Sequence, residues 1–144
     1  MHCCFGDDFV KKHKWLFAVL MLYLAVLLRI TVFRSSFLAS GWCNGQVEWI
    51  PFVYLLRLLD VGYYSYFIYL FVGNIIWFVP LGVYIGIQKG SLIKAILLGF
   101  LLSVAIEAGQ YIFSTGVTEV EDVILNTFGC LLGCIPFHLF KKES

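Results

Sequence analysis

The chain has 144 residues, 61% of them apolar and only 13% charged, with a formal net charge of +1 and a mean hydropathy of +0.91. A soluble domain is about a quarter charged, so this composition excludes a disordered chain and an ordinary soluble enzyme domain, and the near-zero charge excludes a nucleic-acid binder. What remains is a small all-α integral membrane protein whose main partner is the lipid bilayer, read over residues 1–144 as one membrane domain.

In chain order, His2, Cys3, Cys4 and His13 are potential metal ligands, but in an amino-terminal tail they read as incidental. Residues 15–33 are apolar apart from Arg29 and follow Lys11, Lys12 and Lys14, which is enough to cross a bilayer core of ~30 Å. A cleaved signal peptide is the rival reading, since Ala39-Ser40-Gly41 is a small-residue stretch. Arg29 and Arg34 intrude before it and favour a span. Asn44-Gly45 marks a turn. The apolar run at 49–59 is too short to span and predicts an external interfacial or re-entrant helix, with Pro51 suited to its first turn. Tyr63, Tyr64, Tyr66 and Tyr69 mark a membrane boundary. Further spans are predicted at 66–87, 92–113 and 122–140, joined by a tight turn at 88–91 and a short external loop at 114–121.

Four spans put both termini on one side. That side then holds Lys11, Lys12, Lys14, Lys89, Lys94, Lys141 and Lys142, the other only Arg34 and Arg57, which predicts cytoplasmic termini. The external side also collects Glu48, Asp60, Glu119, Glu121 and Asp122.

A polar side chain inside a span is costly, so each is a functional candidate. On the third span Ser103, Glu107, Gln110 and Ser114 share a stripe about 60° wide. On the fourth, Asp122, Asn126, Gly129 and Gly133 repeat that spacing, and the two glycines form a seam for close helix approach. The second span adds Asn74, the small pair Gly82 and Gly86, and Pro80, which leaves the carbonyl of Ile76 without its usual donor. At 1.5 Å per residue Glu107 lies ~9 Å, Asn126 ~6 Å, Asn74 ~12 Å and Arg29 ~6 Å inside the external edge, all at similar depth.

Each feature also has a plain structural reading. Asn74, Gln110 and Asn126 serve as interhelical hydrogen-bond glue, with Arg29 and Glu107 as a structural ion pair. Glu119, Glu121 and Asp122 read as a solvated acidic loop, with a divalent-cation or cationic-ligand site as the rival. Cys130 and Cys134 read as packing residues and His138 as interfacial. Five cysteines without a repeated CxxC spacing indicate neither a disulfide framework nor a zinc site. No phosphate-binding loop, nucleophile elbow, HExxH or glycosylation sequon occurs, so no cofactor or metal is expected.

The segment Gly73-Asn74-Ile75-Ile76-Trp77-Phe78-Val79-Pro80-Leu81-Gly82, then Ile106-Glu107-Ala108-Gly109-Gln110, then Glu119-Val120-Glu121-Asp122-Val123-Ile124-Leu125-Asn126-Thr127-Phe128-Gly129, resembles the VanZ-like family of small bacterial membrane proteins. Trp49-Ile50-Pro51-Phe52 resembles its external N-x-IPF segment, with Glu48 where that family often has Asn. Glu119 and Glu121 stand where it commonly has Asp. The resemblance implies a place in the bacterial cell envelope and a link to teicoplanin-type glycopeptide resistance, without a known reaction.

The resulting expectation is a non-enzymatic four-helix membrane protein with an outer-leaflet pocket of Glu107, Gln110, Asp122 and Asn126, with Asn74 and Arg29 nearby. It engages an amphiphilic ligand such as a lipoglycopeptide or lipid-linked precursor. One alternative is an integral membrane enzyme using Glu107 and Asp122 as acid and base. Another is a scaffold subunit that oligomerises through Gly82/Gly86 or Gly129/Gly133.

Overall fold

The computed structural model describes residues 4–33 and 41–141, with side chains over 14–33 and 41–140. His2, Cys3, Arg34, Ala39, Ser40 and Lys142 lie outside the described residues, as do the side chains of Cys4, Lys11, Lys12, His13 and Lys141. The order of elements is α1 (Cys4–Thr31), β1 (Gln46–Glu48), α2 (Val53–Asp60), α3 (Tyr64–Ile87), α4 (Leu92–Phe113), β2 (Val117–Glu119) and α5 (Val120–Lys141). The molecule is mostly helical. Four helices are long and apolar enough to cross a membrane, over Lys14–Thr31, Tyr64–Ile87, Leu92–Phe113 and Val120–Phe140.

Glycines decide how these helices pack. α3 and α5 run side by side in the same direction. A Cβ on Gly129 would meet the Ile75 carbonyl oxygen at 2.1 Å, one on Gly133 the Val79 oxygen at 2.2 Å, and one on Gly82 the Cys130 oxygen at 1.9 Å. Gly82 and Gly133 thus face each other while Gly129 lies on Ile75 and Gly86 on the Phe137 ring, and no larger side chain fits where the backbones touch. α4 runs antiparallel to α5, with Gly99 against Cys130, so both buried cysteines fill the seam. α1 packs more loosely, through Leu27 and Val32. Its Tyr23 hydroxyl donates to the Trp77 carbonyl at 2.5 Å, one residue beyond the acceptor that Pro80 leaves idle.

Caps set the ends of α4. The Ser91 hydroxyl accepts from the Lys94 amide at 3.2 Å. Ser114 closes the helix in the left-handed region at φ 53°.

Two expectations are corrected here. The stretch 114–121 is not a plain loop. Val117–Glu119 pairs in parallel with Gln46–Glu48 in the register Gln46–Val117, Val47–Thr118 and Glu48–Glu119, and α5 starts at Val120. This ribbon joins segments far apart in sequence, which neither segment's own periodicity encodes. Pro51 is not in the first turn of the short helix either. Phe52 has φ 65° and cannot be helical, so α2 begins at Val53. Leu55 and Leu58, three apart, bury against Leu125 of α5 and against Phe67 and Phe71 of α3.

Candidate functional site

The site lies at the end of the bundle where α4 finishes and α3 and α5 begin. Ser114 anchors it. Its hydroxyl donates to the Gly41 carbonyl at 2.8 Å and accepts from the Asn44 amide at 3.0 Å, while the Cys43 amide donates to the Ile112 carbonyl at 2.8 Å. Residues 41–45 are thus fixed on the tip of α4, which delivers β1 to β2.

The chain after Ser114 then turns back along α4. The Thr118 hydroxyl donates to the Glu107 carbonyl at 3.1 Å, and the Glu119 amide donates to Glu107 Oε2 at 3.0 Å. Because Glu107 lies ~9 Å below the end of α4, Glu119 and the first turn of α5 come in at that depth. Glu107 is only 4% exposed. A carboxylate so buried requires donors, and a folded-back strand supplies one from its backbone.

On α5, Asp122 Oδ1 accepts from Asn74 Nδ2 of α3. One turn further, Asn126 Nδ2 donates to Ser103 Oγ of α4 at 2.8 Å. Glu107, Asp122, Asn126 and Asn74 are thereby gathered from three helices into one polar layer, with Ser103 beneath. Gln110 is buried but turns away from this layer, its amide reaching the Thr31 carbonyl of α1 at 3.5 Å. Arg29 is not brought in. It is exposed, and its guanidinium donates to the Phe33 carbonyl of its own chain end.

Glu121 is the residue that sequence reasoning undervalued. It is 1% exposed, not solvated. Its Oε2 accepts from the Phe52 amide, fixing the entry to α2, while Oε1 is buried with no hydrogen-bond partner among the described residues. The signal for its burial was helical spacing: Glu121 lies four residues before Leu125, on the α5 face that α2 covers.

The electrostatics of the site are one-sided. Repulsion links Glu107 to Asp122 and Glu119, and Glu119 to Asp122, Glu121 and Glu48. No lysine, arginine or histidine among the described residues pairs with them. Burial first, then these neighbours in turn, pushes the Glu119 carboxyl up to about 7. Among the described residues no three His, Cys, Asp or Glu side chains converge closely enough to hold a metal ion.

Residues 20–141, which include every site residue named above, match the VanZ/LLP1 family. The chain belongs to the VanZ/LLP1 family. It is also similar to Protein VanZ of Enterococcus faecium, 35% identical over 75 residues that cover 50% of this chain and 46% of that protein. The match thus spans a little under half the length of that relative. No solved structure matches the chain. Together, the VanZ/LLP1 membership and the four spanning helices make this a membrane protein.

Proposed function

We propose that this VanZ/LLP1 protein resides in the bacterial cell membrane with both termini in the cytoplasm and its carboxylate end outward, where it binds an amphiphilic envelope ligand and contributes to resistance against teicoplanin-type glycopeptides. The observation that carries the reading is the polar layer of Glu107, Asp122, Asn126 and Asn74, gathered from three helices in a region where lipid penalises each of them alone. The Lys/Arg asymmetry supports the orientation, with seven lysines at one end against two arginines at the other. The likeness to Protein VanZ supports the role in resistance.

In this reading Asp122 and Asn74 orient the polar head, and Glu107, held by the Glu119 amide, sets the floor. Exposed Trp49 and Ile50 beside β1 meet the apolar part. Gln110 and Arg29 act at most from a distance. Glu107→Gln and Asp122→Asn keep size and hydrogen-bonding capacity, so teicoplanin resistance in cells expressing them should drop while protein levels hold. Unchanged susceptibility in both variants refutes the reading. The same purified protein, incubated with lipid-linked precursors, returns them with unaltered mass, and a mass change would instead favour an enzyme using Glu107 and Asp122.

A further inference from the structure

Five carboxyl groups meet at the outward end: Glu48 on β1, Glu107 on α4, Glu119 on β2, and Glu121 and Asp122 on α5. The donors supplied to them are few. Among the described residues they are the Phe52 and Glu119 amides and the Asn74 side chain. Arg57 of α2 is a described cation at this end, and neither it nor any other described lysine, arginine or histidine pairs with these carboxyls. Two features go beyond mere acidity. Glu48 and Glu119 are register partners on adjacent parallel strands, a placement of like charges that destabilises a sheet. Glu121, 99% buried, keeps one carboxyl oxygen with no hydrogen-bond partner among the described residues while lying within electrostatic reach of Glu48, Glu119 and Asp122. A buried acceptor left open costs stability. Sites that break local rules in this way are typically places where a ligand supplies what is missing.

Resting on the ligand-binding reading above, we infer that the ligand carries a cationic nitrogen: an alkylammonium head group that docks between Glu119 and Glu121, with Glu48 and Asp122 flanking it. An ammonium has three donors and needs no convergent ligand shell. That suits carboxylates too spread to form a metal site. Trp49 and Ile50, directly after Glu48 and both exposed, offer an apolar surface to the attached chain.

The groups facing Glu119 are Glu48 from β1, Tyr54 from α2, Glu107 from α4, and Glu121 and Asp122 from α5. None is a cation. Glu119 loses its proton at about 7, so the site gains negative charge, and affinity for an ammonium, as pH rises from 6 to 8.

The test uses the full chain in zwitterionic phosphatidylcholine nanodiscs, titrated with dodecylammonium and followed by tryptophan fluorescence, with empty discs subtracted. Saturable binding should be at least tenfold tighter than that of uncharged dodecyl maltoside and tighter at pH 8 than at pH 6. Glu119→Gln and Glu121→Gln should each weaken it about tenfold or more, the scale of one charge-assisted hydrogen bond. Glu121→Gln retains an acceptor for the Phe52 amide, and helicity by circular dichroism confirms the fold. If dodecyl maltoside binds as tightly, the cationic inference is overturned and the amphiphile site survives. If neither binds saturably, both fail. If calcium chloride binds while dodecylammonium does not, the site is one for metal and the inference is overturned.

Discussion

Individual side chains at the polar layer are held in conflict, and the conflict makes them testable. Glu119 ionises at about 7 in the folded chain, well above an ordinary carboxyl, because it is partly buried among Asp122, Glu121 and Glu48. A raised carboxyl pKa means the folded state holds its proton longer than the unfolded state. The resulting penalty is absent below about pH 4.5, grows between there and about 7, and is complete above. Glu119→Gln should therefore raise the melting temperature of the purified protein at pH 8 and leave it unchanged near pH 4; equal shifts at both would remove electrostatics as the cause. Stability gained at a residue proposed to bind ligand is the usual trade-off at functional sites. Glu121 behaves differently, because it caps as well as repels. Removing its acceptor in Glu121→Ala leaves the Phe52 amide unsatisfied beside the entry to α2 and should cost about 1–3 kcal/mol in denaturant unfolding. Glu121→Gln, which still accepts, should recover most of it.

At the scale of elements, the α3–α5 seam bears the packing. Gly82, Gly129 and Gly133 each touch opposing backbone that no rotamer change can move. Gly129→Val should then lower stability by about 3 kcal/mol or more, the upper range for overpacking. Gly73 is the internal control. It lies on α3, the helix that Gly129 packs against, with nothing within 4 Å of an added Cβ, so Gly73→Ala should be neutral or slightly stabilising. A detergent-melting series that ranked these two alike would show that the seam does not hold the bundle. Gly82, Gly129 and Gly133 are covered by opposing backbone and Gly86 by the Phe137 ring, so these glycines are already used in packing within the molecule.

These elements were unequally legible in the sequence. The spans at 66–87 and 92–113 coincide with α3 and α4 to within two residues, because continuous hydrophobicity and the Gln88–Ser91 turn are local signals. Asp122 and Asn126 shared a stripe with the glycines, and helical spacing alone put them in the interior. The ribbon was not legible. Each strand has three residues, and their partnership depends on tertiary pairing across 71 positions. The burial of Glu121 followed from α2 and the Phe52 amide, and the turning away of Gln110 from α1. The stripe on which Gln110 was placed does not show its turn toward α1, and for Glu121, placed in the acidic loop, the four-residue spacing to Leu125 was the one local signal. Arg29 was close in depth, but depth along a helix says nothing of which way a side chain faces.

For the whole molecule, the proposed orientation follows from charge counted over both ends, and the chain contains its own reporter. Cys43 is exposed at the carboxylate end, whereas Cys130 and Cys134 are sealed within the seam. With Cys3 and Cys4 replaced by Ser, a membrane-impermeant maleimide added to intact cells should label Cys43 quantitatively. Labelling that appears only after permeabilisation would reverse the orientation and move the carboxylate layer to the inner leaflet. The charge argument predicts a further step. Changing Lys11, Lys12, Lys14, Lys89 and Lys94 to Gln leaves Lys141 and Lys142 against Arg34 and Arg57. With the Lys/Arg bias removed, insertion loses its direction, and about half of the molecules should present Cys43 to the inside. The apolar spans are untouched by these changes, so total membrane insertion should stay constant while the labelled fraction falls. A labelled fraction that did not change would assign the orientation to something other than lysine placement.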